Sequence, residues 1–167
     1  MAQKTKRKVE KEDTVDVEIV NFPETKVAAL EHKGAPENEH ESIKRLIAWR
    51  IENKLSLDKH RSFGVHYSDP ATTPPDEYRV DLCISVDDDI PPNPYGVVNK
   101  VIPAGRCVVA RHIGTRGNIP TVKYLYESWL PRSGEKLRDF PIFFHYVNVG
   151  PGVGEQEMIT DVYLPLL

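Results

Sequence analysis

The chain has 167 residues, 40% hydrophobic and 28% charged, with a formal net charge of −3. This length suits one domain, or two small halves sharing one core, and the balance of charge provides no overall basic footprint for nucleic acid. No run of eighteen apolar residues occurs, so no membrane-spanning helix is expected. Cys83 and Cys107 have no metal-ligand or disulfide spacing and read as reduced apolar residues of a cytoplasmic protein, with neither metal nor cofactor expected.

Residues 1–14 are polar and read as a mobile tail. Lys4, Lys6, Arg7 and Lys8 are followed at once by Glu10, Glu12 and Asp13, a solubilising pattern rather than a nucleic-acid arm. Residues 15–20 alternate Val15, Val17 and Ile19 with Asp16 and Glu18, the period of a half-buried strand. A turn at Pro23-Glu24 leads into a second strand over 26–32, and the two are expected to form a hairpin. Asn38 and Glu41 form a helix-capping pair for a helix running to about Lys54, with Ile43, Leu46, Ile47 and Ile51 as its apolar face. Strands over 62–68 and 78–86 follow, separated by the Pro74-Pro75 loop.

The second half repeats this plan. Strands over 97–102 and 106–112 form the second expected hairpin. Asn118 and Pro120 open a helix over 119–130. Strands over 140–148 and 157–165 close the chain. Pro23/Pro103, His32/His112, Gly34/Gly114, Trp49/Trp129, Glu77/Glu157 and Asp81/Asp161 all stand 80 residues apart, whereas His66-Tyr67 and His145-Tyr146 match at 79. The expected fold is therefore α+β, an internally duplicated hairpin–helix–strand–strand unit. It has about eight antiparallel strands and two helices around a pseudo-twofold groove, with halves at about 15–90 and 95–167. A cleft between such halves is where function is to be sought.

Few motifs carry chemistry. Gly150, Gly152 and Gly154 precede a strand pattern rather than a helix, so they read as a flexible loop, not a dinucleotide fingerprint. Asp87-Asp88-Asp89 lacks the interleaved spacing of a calcium loop. The histidines show no i, i+4 pair on a helix, and strand-face or structural roles fit them better than metal binding. The aromatic residues are more suggestive. Tyr126 and Trp129 share a helix face, and parity sets Phe144 and Tyr146 on one side of a strand with Phe143 and His145 on the other. Such stripes are most often core, but tyrosine keeps a polar handle and its ring stacks on flat or cationic ligands.

Several segments resemble the GyrI-like small-molecule-binding domain, which also serves as the effector-binding part of multidrug-sensing transcription regulators. They are Phe63-Gly64-Val65-His66-Tyr67-Ser68-Asp69-Pro70, Thr72-Thr73-Pro74-Pro75-Asp76-Glu77-Tyr78-Arg79-Val80-Asp81, Ile102-Pro103-Ala104-Gly105-Arg106 and Asp161-Val162-Tyr163-Leu164-Pro165-Leu166. The resemblance covers about residues 15–167. It implies a duplicated fold with a pocket in the groove, binding lipophilic and often cationic compounds, and a standalone form, since the length leaves no room for a DNA-binding domain. It also implies two alternatives, a protein partner such as gyrase and hydrolysis of reactive small molecules; hydrolysis needs a general acid or base within reach of the pocket, for which His66, His145 and Glu157 are the candidates. The family commonly places a glutamate where this chain has Phe144. The pocket implied here is aromatic, built from Tyr67, Tyr126, Trp129, Phe144, Tyr146 and Tyr163, with Trp49 as a lesser wall. No nucleic acid or membrane is expected as a partner, and the oligomeric state is left open.

Overall fold

A computed structural model describes residues 15–167; the expected tail, residues 1–14, lies outside them. In chain order the elements are β1 (Val17–Phe22), β2 (Thr25–Lys33), α1 (Glu39–Glu52), β3 (Ser62–His66), β4 (Arg79–Ser85), β5 (Val98–Ile102) and β6 (Gly105–Ile113). A second helix, α2, joins Thr121–Tyr124, a π-helical turn Leu125–Trp129 and Leu130–Ser133, before β7 (Phe143–Tyr146) and β8 (Ile159–Pro165). All eight strands form one antiparallel sheet ordered β1-β6-β8-β7-β3-β4-β2-β5. Exchanging each strand for its repeat mate reverses this order onto itself, so a pseudo-twofold axis passes between β3 and β7.

The element count and order agree with expectation, but the first two strands of each repeat do not pair with each other. β1 pairs with β6 and β2 with β5, each crossing to the other half. The connections explain this. A tight two-residue hairpin favours positive φ at its first central position, which the proline ring of Pro23 or Pro103 forbids. The chain bends there instead of reversing, and the two halves interlock.

The register also revises the repeat. Val65 pairs with Asp81 and His145 pairs with Asp161, so β3 and β7 are related by 80, like the other strands. The mate of His145 is therefore Val65, that of Tyr146 is His66, and that of Phe144 is Gly64. The one-residue irregularity lies instead in α2. Its buried Thr121 and Leu125 correspond to Ser42 and Leu46, 79 apart, and the π-helical turn supplies the residue that restores Trp49 to Trp129. Such single-turn insertions are frequent at functional sites.

The sheet curls strongly. Phe22 on edge strand β1 and Phe63 on β3 are four strands apart, about 19 Å in a flat sheet, yet their rings lie 6.1 Å apart. The concave inner face holds Phe22, Phe63, Phe143, Val65, Cys83 and Cys107 in one core. Both helices lie on the other face. α1 covers β2 and β4 through Leu46 and Trp49, and α2 covers β6, β8 and the start of β7 through Leu125.

α1 is rotated from the face that its isoleucines suggest. Ser42, Leu46 and Trp49 are buried, whereas Ile43, Ile47 and Ile51 are 39%, 42% and 63% exposed. Trp49 has the larger apolar surface to bury, and Ser42 Oγ bonds the buried ring of His32 at Nδ1, 2.8 Å away. These contacts set the rotation. The Asn38 side chain makes no capping bond; a short 3₁₀ turn, Pro36–Asn38, leads into the helix instead.

Candidate functional site

The two helices leave the centre of their face uncovered. α1 rides over β2 and β4 and α2 over β6 and β8, so their axes are four strand spacings apart. With helices about 10 Å thick, the two do not meet across four strand spacings, and the strands between them are left as a trough. β3 and β7 form its floor. Gly64 pairs with Leu82 on one side and Phe144 on the other, Phe144 pairs with Val162, and Tyr146 pairs with Thr160. Directly opposed residues share a face, so Gly64, His66, Phe144 and Tyr146 all point into the trough.

These four residues are in close contact. The His66 and Phe144 rings are 4.3 Å apart and tilted by 43°, while Phe144 and Tyr146 meet edge to face at 6.3 Å. Gly64 supplies the room. A Cβ on Gly64 would stand 2.5 Å from Tyr146 Oη and 3.2 Å from His66 Nε2. Arg116 closes the site behind Tyr146, its guanidinium 5.0 Å from the ring centroid and anchored to Thr160 Oγ1 at 2.8 Å and the Ile159 carbonyl at 2.7 Å.

Electrostatics keep the floor uncharged. Burial pushes the His66 imidazole down to about 4, so it is neutral near pH 7, and burial likewise holds the Tyr146 phenol above its ordinary range, with the Glu39 charge adding to the effect. His66 Nε2 is out of solvent and has no hydrogen-bond partner. Charge appears at the rim. Glu39, the first residue of α1, accepts a hydrogen bond from Tyr78 Oη at 3.1 Å, and burial, with the Asp69 carboxylate adding to it, raises the Tyr126 phenol.

The residues expected from sequence do not converge on one place. Phe144 and Tyr146 stand together on the trough floor. Trp129 packs into the core beneath α2, and Tyr126, 37% exposed, lies on the same helix. Trp49 is buried under α1, where it walls a separate cavity of about 230 Å³ with Asn53, His60 and Asp87. Tyr163 and Tyr67 belong to the opposite face. Tyr163 stacks on Phe143 at 5.0 Å and borders a second concavity of about 550 Å³ with Val20, Arg111 and Asp161. The Tyr67 hydroxyl donates to Asp81 at 3.0 Å beneath the Arg79 guanidinium. Alternation along β8 explains Tyr163, which is one residue out of phase with Val162.

Three trough residues, Gly64, His66 and Arg116, are not among the aromatic residues expected to line the pocket. Gly64 was hidden by the 79-residue match, which set Val65 opposite Phe144. His66 stood among the acid–base suspects and enters the floor on parity with Gly64. Arg116 sits in a loop, where no periodicity marks it. The histidines at 32 and 112 are structural: each ring approaches loop carbonyls, with His32 Nε2 3.1 Å from the Ala35 oxygen and His112 Nε2 3.0 Å from the Thr115 oxygen.

Comparison with known proteins bears on both family and fold. A family model described as GyrI-like small molecule binding domain matches residues 15–167. The probable transcriptional regulator YgiV of Escherichia coli strain K12 is 48% identical over 155 residues, covering 92% of this chain and 97% of that protein. Among solved structures, the C-terminal domain of EcmrR superposes with a TM-score of 0.72 at 15% identity, covering 92% of this chain and 98% of that one. EcmrR in its DNA complex gives 0.75 at 15% identity, with 99% of this chain covered but only 62% of the longer EcmrR chain. SAV2435 bound to tetraphenylphosphonium gives 0.57 at 10% identity over 91% of this chain and 94% of that one. At these identities the structural likeness concerns the fold.

Proposed function

This chain belongs to the GyrI-like family of small-molecule-binding domains, and from that premise we propose that it binds lipophilic organic compounds, aromatic and in part cationic, in the trough between α1 and α2. The observation that carries this reading is the floor itself: a neutral histidine, a phenyl ring and a phenol gathered over a glycine, with a buried polar atom left without a partner. Buried polar groups are normally satisfied, so an orphan at the bottom of an apolar trough points to a ligand that completes it.

The rim supports the cationic part. Glu39 and Asp69 place carboxylates at the edges while ring faces line the floor, and a desolvated aromatic face contributes about 1–2 kcal/mol toward a cation. The tetraphenylphosphonium bound by SAV2435 is a compound of this class. A cytoplasmic setting accords with Cys83 and Cys107, both free and buried.

Thermal-shift screening with lipophilic cations and neutral aromatics tests the reading. A ligand at a hundred times its Kd stabilises the fold by about 2.7 kcal/mol. No shift from either class, with tryptophan fluorescence also unchanged, would overturn it.

A further inference from the structure

The trough floor carries two polar atoms whose partner the trough reading leaves unnamed. His66 Nε2 is buried without a hydrogen bond, and Tyr146 Oη makes none among the described residues. Both lie over the same point. Measured from the position of a Cβ on Gly64, Oη is 2.5 Å away and Nε2 3.2 Å, so the two atoms flank one spot above the glycine. The phenol is held as a protonated donor and the imidazole as a neutral group, one nitrogen of which donates or accepts according to tautomer.

We propose that His66 Nε2 and Tyr146 Oη together hold an uncharged oxygen function, a carbonyl or hydroxyl, on the lipophilic ligand, and so act as its specificity determinants. The proposal rests on the trough reading and adds the chemistry of the ligand's polar group. A carbonyl oxygen receives the Tyr146 O–H and the Nε2–H tautomer of His66. A hydroxyl receives the Tyr146 O–H and donates to the other tautomer. Either arrangement gives His66 Nε2 its missing partner and engages the Tyr146 phenol at once. A site made to hydrogen-bond an oxygen discriminates against the analogue that lacks it, because the buried groups are then desolvated without a partner. Phe144 against His66 and Arg116 behind Tyr146 restrict both side chains, so little ordering remains for the ligand to impose.

Three probes of matched shape provide the test: benzophenone, benzhydrol and diphenylmethane, titrated against the full chain by tryptophan fluorescence and calorimetry. Benzophenone, benzhydrol or both should bind about tenfold more tightly than diphenylmethane, the discrimination expected of one or two net hydrogen bonds. Tyr146→Phe removes one oxygen atom and should erase most of that preference, read as the ratio of the three probe affinities on the variant itself. His66→Phe should do the same, its folding checked by thermal melting, and the Tyr146→Phe result is decisive by itself. Equal binding of all three probes, or a preference that survives Tyr146→Phe, would overturn the proposal and leave the trough reading intact. Failure of all three to bind, with lipophilic cations also inert, would remove the trough reading instead.

Discussion

Gly64 and Phe144 face each other directly across the pseudo-twofold axis and are also each other's repeat mates. The position nearest the symmetry axis is thus where the two halves differ most, one contributing no side chain and the other a phenyl ring. A symmetric floor with two phenyl rings would fill the trough, and one with two glycines would leave it bare.

Gly64→Ala tests this asymmetry. The new methyl would meet Tyr146 Oη at 2.5 Å, and the phenol is hemmed in by Arg116 and Phe144. Overpacking of this kind costs about 1–3 kcal/mol of stability. Chemical denaturation should show that loss, and ligand affinity should fall at least tenfold as Tyr146 is displaced.

The inner face should behave as core and not as binding site. Phe143 is fully buried among Phe22, Phe63, Phe140 and Tyr163, and Phe143→Ala should cost about 3–5 kcal/mol. Tyr163→Phe keeps the ring stack and should leave ligand affinity within twofold of the parent in titrations. A large loss on Tyr163→Phe would place the ligand on the inner face.

Lys100 neutralises a buried acid. Its Nζ lies 2.8 Å from Asp81 Oδ2 and 2.6 Å from Glu31, and the Asp81 side chain is 1% exposed. Lys100→Met leaves that carboxylate only the Tyr67 hydroxyl at 3.0 Å and Arg79 at 4.0 Å, and should cost about 3 kcal/mol. Adding Asp81→Asn to the same chain should restore much of the loss, which a double-mutant cycle reads directly.

His66 predicts a pH dependence. Its imidazole is pushed from 6.5 down to about 4 by burial, so between these values the unfolded chain binds the proton and the folded one does not. Stability from this group is complete above about pH 6.5 and is lost as pH falls toward 4, by about 3 kcal/mol at 1.36 kcal/mol per pH unit. Comparing urea unfolding of the parent and His66→Phe at pH 7 and pH 4.5 isolates the effect. The parent should lose more stability on acidification than the variant; equal losses would show that His66 is solvated.

Local pattern carried much of this fold. Alternation marked the strands, a 3.6-residue period marked α1, and the repeat was visible in Pro23/Pro103, His32/His112 and Gly34/Gly114. Parity already separated Phe144 and Tyr146 from Phe143. The face of α1 was misread because Ile43, Ile47 and Ile51 look apolar in isolation, while the His32–Ser42 bond and the bulk of Trp49 exist only once the helix meets the sheet.

What the sequence by itself determined is the inventory: eight strands, two helices, two related halves and a store of aromatic side chains, because these follow from periodicities a few residues long. The tertiary structure decided the partners. Which strand β1 joins, that Gly64 and not Val65 answers Phe144, and that Tyr163 faces away from Tyr146 all depend on inter-strand register. A shift of one residue in that register moves every side chain to the other face. No local pattern records it, since the contacts that select it join different strands, at separations from 14 residues (Tyr146 to Thr160) to 93 (Val17 to Ala110).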